Sequence, residues 1–190
     1  MKLMRYSFVA VTMIASSLAL LGTTRGQEVS GRGSISGVVR FEGEAPAPQK
    51  LEVNKDLEVC GQHDIFSEEL VVSATGGLKN VFVQVLGTKG EVEKPATRVT
   101  VAQEGCRFVP HVQVIPAGTR MNILNKDGIA HNIHTLSVEN PSFNRLQPGV
   151  RKRMVTRKND LAIPEFIPLK CDLHSWMSAW IIVVDHPHHA

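Results

Sequence analysis

The chain has 190 residues, 43% hydrophobic and 21% charged, which suits one globular domain with an extension and excludes whole-chain disorder, collagen and coiled coil. The formal charge of +3 arises in the first segment. Lys2, Arg5 and Arg25 stand in residues 1–26 without an acid, and the remaining 18 basic residues match 18 acidic ones. Nucleic-acid binding by bulk charge is therefore excluded as a function class.

Two charges in Met1–Arg5, an apolar run from Tyr6 to Leu21 and the small residues Gly22, Thr23, Thr24 and Gly26 follow the order of a secretory signal. A signal peptide over 1–26 and a linker over 27–32 are expected. If uncut, the segment would anchor the chain in a membrane, although its apolar run is short for a full span. No Cys near the junction offers a lipid attachment. Either way the folded part is expected outside the cytoplasm, periplasmic or secreted, where disulfides persist.

From Gly33 onward the signals are those of strands: short runs rich in β-branched residues, broken by Gly, Pro, Asn and Asp. Strands are expected over 34–41, 70–72, 80–86, 98–102, 112–115, 120–124, 131–136, 150–155, 166–170 and 179–184, with a turn at Pro116-Ala117-Gly118. Val81, Val83 and Val85 share one face by period two. No amphipathic helix of three turns is visible; 54–60 or 142–147 could hold a short one. The pattern is all-β, a sandwich or barrel, read as one domain over 33–186 that includes an N-terminal β extension, 33–100, and is followed by a His-rich tail, 187–190.

Chemistry concentrates in Cys171-Asp172-Leu173-His174-Ser175-Trp176-Met177, which offers a thiolate, an imidazole and a thioether at intervals of three. Apolar strands on both sides pin this loop, so the three side chains can converge. Soft sulfur with imidazole suits copper, and two His, one Cys and a long axial Met make a trigonal blue-copper site. The second His is sought in Asn125–His134. His131 and His134 differ by an odd number, so in a regular strand only one of them faces a given metal. Spacing alone does not choose.

Taken together, Phe108-x-Pro110, Pro116-Ala117-Gly118, Asn125-x-Asp127, His131-Asn132 and Cys171-x2-His174-x2-Met177 resemble the cupredoxin pattern over roughly Phe108 to Asp185. The ligand loop is most similar to that of amicyanins. Ala130 stands where the family often has Pro, and Ser175 replaces the Pro that follows the loop His. The resemblance implies a Greek-key β-sandwich and one type 1 copper ion held by His131, Cys171, His174 and Met177. It also implies that Asn132 locks the ligand loops together near the Cys171 sulfur. The function implied is that of a one-electron carrier between redox partners, such as a cytochrome or a periplasmic oxidoreductase, and not of an enzyme. The alternative is a copper-binding or delivery protein without a redox cycle. A domain of a copper oxidase or reductase ranks last, because few further histidines are available.

Cysteine arithmetic points the same way: Cys60 and Cys106 can pair, leaving Cys171 for a metal. Cys60-x2-His63 with Cys171-x2-His174 also fits zinc spacing, but would orphan Met177 and His131. His111 and His63 are expected to play structural roles, with a second metal the alternative for each. His186, His188 and His189 are expected in a solvated tail. Trp180 is expected to pack, and Trp176 to lie near an exposed edge of His174 where a partner docks. Arg151, Lys152 and Arg153, within a basic stretch from Arg145 to Lys158, form either a solvated edge or a docking patch for an acidic partner.

Overall fold

The computed structural model describes residues 33–88, 90–93, 98–149, 153–156 and 161–190. The expected signal peptide, the linker, Arg151, Lys152, Arg157 and Lys158 lie outside them, as does the side chain of Arg153. The chain divides into Met1–Ser36 and Gly37–Ala190. Of the first unit, 33–36 are exposed and outside any strand or helix.

The second unit is built from two mixed sheets. One contains β1 (Thr100–Gln103), β2 (Phe108–Val109), β4 (Asn122–Asn125) and β7 (Arg153–Val155), in the order β2-β1-β4-β7. The other contains β3 (Val112–Pro116), β5 (His131–Thr135), β6 (Asn144–Gln147), β8 (Glu165–Lys170) and β9 (Ser178–Val184), in the order β3-β9-β8-β5-β6. β1 runs parallel to β4 and β3 parallel to β9; the other pairings are antiparallel.

The period-two pattern decides what lies between the sheets. Val101, Phe108 and Ile123 from the first sheet are buried in one core with Ile115, Ile133, Ile167, Leu169, Ile181 and Val183 from the second. Burying each such side chain contributes about 1.5–3 kcal/mol. The connection from β3 to β4 is the expected turn. Thr119 N–H donates to Pro116 O at 3.0 Å, and Gly118 takes φ 73°, the left-handed value that the third position of a type II turn requires. Among the described residues the architecture is the expected all-β one, two sheets packed face to face behind an N-terminal extension.

Local expectations differ from the structure in places. Among the described residues the extension's β structure is limited to isolated bridges, Arg40–Gly77, Lys50–Phe66, Val72–Leu78 and Gln84–His189. A β-like sequence needs a neighbouring strand to form a ladder, and here pairing is confined to single positions. A single 3-10 turn, Cys60–Gln62, follows the stretch that could have been helical. The other such stretch contains β6, because antiparallel pairing with β5 recruits Asn144–Gln147 as a strand. The C-terminal tail is not simply solvated. Val83 and Ala190 exchange backbone hydrogen bonds at 2.8 and 2.9 Å, and Val85 N–H donates to His188 O at 3.0 Å.

Glu165, at the start of β8, accepts from the N–H groups of Val138, Glu139 and Asn140 at 2.5, 3.2 and 3.0 Å and from Asn140 Nδ2 at 2.8 Å. Burial works against its charge, but these bonds outweigh it and hold the carboxyl below its ordinary value of 4.5. A depressed value means that the contribution is present above pH 4.5 and is lost as pH falls through the folded-state value. Glu165→Gln is expected to cost about 1 kcal/mol at neutral pH and to flatten the acid limb of a stability–pH curve measured by urea unfolding.

Candidate metal centre

His131 opens β5, and the loop before it is shaped by Asn125. Its Oδ1 accepts from Asp127 N–H at 3.0 Å, and its Nδ2 donates to Ile129 O at 2.8 Å. This turn places the Asp127 carboxylate against His131 Nε2 at 2.9 Å. The same carboxylate accepts from Gly105 N–H at 2.8 Å and Cys106 N–H at 3.0 Å. Those two amides converge because Gly105 and Cys106 both take positive φ, 59° and 54°, forming an anion-binding nest.

The second component is the loop between β8 and β9. Cys171 N–H donates to Met177 O at 3.1 Å and Met177 N–H to His174 O at 3.0 Å, which closes the loop on itself. Cys171, His174, Trp176 and Met177 are all buried. Asn132 ties this loop to β5. Its Oδ1 accepts from Asp172 N–H at 2.7 Å and lies 3.1 Å from Cys171 Sγ, and its own N–H is directed at that sulfur from 3.5 Å.

The two components meet. His131 Nδ1 and His174 Nδ1 are 3.0 Å apart, and Cys171 Sγ is 3.6 Å from His174 Nδ1. The candidate ligand atoms of His131, Cys171 and His174 all lie within 4.8 Å of one another. Each imidazole turns its other nitrogen to a carboxylate, His131 to Asp127 and His174 to Asp56, the latter at 2.8 Å. His134 is not part of the cluster. It points the other way, as odd spacing requires, and meets Asp172 at 2.9 Å. His134→Ala is accordingly expected to leave the visible spectrum of the copper-loaded protein unchanged, and loss of its colour would reassign the ligand.

Electrostatics distinguish the two imidazoles. Burial opposes a charge on His131, but hydrogen bonds with Asp127 and Cys171 outweigh it and raise its pKa to about 8. Burial also pushes the Cys171 thiol up, but His131 and the amides of Asn132, Leu173 and His174 bring it below its ordinary value. Burial lowers His174, and Asp56 does not fully compensate. The short contact between the two Nδ1 atoms needs one ring to donate a proton to the other. A cation bound there would take that proton's place between the rings. Three buried donors from two segments, facing one another with the other nitrogen of each imidazole already satisfied, fit a borderline-to-soft metal ion.

Several expectations are corrected. Cys60 and Cys106 form the anticipated disulfide, so the zinc alternative loses its first thiolate. For the same reason the grouping of Cys106 with Asp127 and His131 offers no free sulfur. His63 is exposed, whereas His111 is buried 3.7 Å from Glu68; among the described residues neither belongs to a metal-ligating group. The two tryptophans exchange places. Trp180 is 41% exposed because Ala179, Ile181 and Val183 take the inward face of β9, while Trp176 is 8% exposed and donates its indole N–H to Cys106 O at 3.1 Å. Nor is the edge of His174 open, since its side chain is 0% exposed under Asp56. Asp56 was not identifiable from the sequence; 118 positions separate it from its partner.

No family model and no curated protein matches the sequence. Solved structures do. A copper-containing nitrite reductase from Thermus scotoductus aligns at 24% identity over 54% of this chain and 25% of that chain, with a TM-score of 0.42. This chain therefore spans about a quarter of that enzyme's length. A purple cupredoxin from Nitrosopumilus maritimus aligns at 18% identity over 45% of this chain and 99% of that chain, with a TM-score of 0.38. Amicyanin from Paracoccus versutus aligns at 17% identity over 54% of this chain and 97% of that chain, with a TM-score of 0.39. The structures it resembles in part include cupredoxins, with amicyanin among them.

Proposed function

We propose that the chain is a type 1 copper protein that works as a one-electron carrier outside the cytoplasm, with His131, Cys171, His174 and Met177 as the ligands. The observation that carries this reading is the convergence of His131 Nδ1, His174 Nδ1 and Cys171 Sγ in a buried cluster. Copper bound there would supply a cupric/cuprous couple. The protein's part is to hold the donors still. The Cys171–Met177 loop is closed by its own backbone, Asn132 bridges it to β5, and Asp127 fixes the orientation of His131. Donors that do not move when the charge changes keep reorganisation small. Burial of the cluster favours retention of the ion over delivery of it.

The signal-like first segment and the Cys60–Cys106 bridge support export. A redox protein, such as a cytochrome or a periplasmic oxidoreductase, is the proposed partner, with Arg151, Lys152 and Arg153 as the proposed docking charges for an acidic one. Voltammetry of the copper-loaded protein tests the function. A reversible one-electron wave is expected, and rapid loss of cuprous ion to an added chelator without such a wave would favour delivery. Met177→Gln is expected to keep the ion and lower the potential, since a harder axial donor favours the cupric state.

A further inference from the structure

We propose that Asp56 is a positioning residue for His174: its carboxylate, carried by a turn of the extension that the Cys60–Cys106 bridge fastens to the sandwich, accepts a hydrogen bond from Nε2–H, aims Nδ1 at Cys171 and closes the ring edge to solvent. The proposal rests on the copper reading for its electronic consequence, but its geometry stands without it.

The contact is short and placed from far away in the chain. Asp56 Oδ2 lies 2.8 Å from His174 Nε2, across 118 positions. The carboxylate does not reach the ring on a loose arm. Asp56 O accepts from Val59 N–H at 3.0 Å and from Cys60 N–H at 2.8 Å, fixing the turn that leads into the disulfide. Asp56 itself takes φ 50°, an uncommon left-handed value for a residue with a side chain.

The other half of the bridge works on the same ring. Cys106 O accepts the indole N–H of Trp176, and the Trp176 and His174 rings lie 5.1 Å apart. Asp56 therefore holds the edge of His174 while Trp176 packs beside it, and both supports lead back to one covalent link. His174 is 0% exposed, whereas Asp56 keeps 36% of its side chain in contact with solvent. The carboxylate is thus partly hydrated, and its negative charge stands beside the ligand cluster. That charge stabilises the cupric state relative to the cuprous one.

The test uses the full chain with Asp56→Ala, Asp56→Asn and, as a control that removes an equal charge from the same extension, Asp64→Asn at an exposed salt bridge with Lys50. In the metal-free protein, His174 is expected to resist diethyl pyrocarbonate, with modification mapped by mass spectrometry. Asp56→Ala is expected to make it reactive, and Asp56→Asn, which retains an acceptor oxygen, is expected to restore protection. In the copper-loaded protein, Asp56→Ala is expected to weaken copper retention about 10–100-fold. Both Asp56 variants are expected to raise the potential. A purely structural role would not predict that the neutral, protecting Asn leaves the potential raised.

The proposal is overturned if Asp56→Ala leaves His174 as protected, and the potential as low, as Asp64→Asn does. Should the wild-type chain take up no copper, the copper reading fails while the metal-free protection pattern still decides the role of Asp56. Should Asp56→Ala not fold, Asp56→Asn decides: a potential equal to wild type overturns the electronic role, and a raised one supports it.

Discussion

Cys171→Ser is expected to abolish the visible thiolate-to-copper absorption of the copper-loaded protein. Cys171 is the free cysteine of the described chain, and its sulfur faces both imidazoles. The band requires an ionised sulfur, and the surroundings of Cys171 favour that state against the cost of burial. A serine hydroxyl in its place is a harder donor and stays protonated, so it can neither give the charge transfer nor match the affinity. Copper retention should fall by more than the about 10–100-fold typical of losing an outer contact. The fold should survive. Asn132 Oδ1 keeps the Asp172 N–H, and the loop keeps its Cys171-to-Met177 backbone bond. Absorption spectra before and after copper addition, with thermal unfolding as the check on folding, measure both outcomes.

The second large effect concerns stability. Removing the Cys60–Cys106 bridge with the double substitution Cys60→Ala and Cys106→Ala is expected to cost about 4 kcal/mol, from the loop that a separation of 46 positions closes. Both cysteines are fully buried, so the missing sulfurs also leave unfilled space. The loss should be larger than for an ordinary surface crosslink, because the bridge joins the turn carrying Asp56 to the nest that grips Asp127. Urea unfolding of the double variant against the oxidised parent measures it. A midpoint unchanged within error would mean that the extension is held by its other contacts.

The ligand loop was legible because three metal-donor side chains occur within seven residues between two apolar runs, which form β8 and β9 on either side of it. The choice between His131 and His134 was half legible. Odd spacing excluded using both, and the resemblance chose the one the structure brings to the cluster. The disulfide followed from an odd number of cysteines and one assigned elsewhere.

The extension was not legible in its role. Asp56 sits among exposed charged residues, and neither periodicity nor spacing links it to a loop near the other end of the chain. Its part in the site is a tertiary effect, set by where the Cys60–Cys106 bridge lands. The reversal of the tryptophans has a simpler cause. Alternation along Ala179, Ile181 and Val183 already directs Trp180 outward, whereas Trp176 lies in a loop where no period applies. The expected strands in 34–41 and 80–86 show the converse, where local alternation is present but single bridges replace ladders.

The most direct measurement is the absorption and electron paramagnetic resonance spectrum of the oxidised protein after copper addition, with metal content determined on the same sample. One copper per chain with an intense thiolate-to-copper band is the predicted result. Failure to bind copper stoichiometrically, or a bound cupric ion of ordinary tetragonal type with no such band, would contradict it.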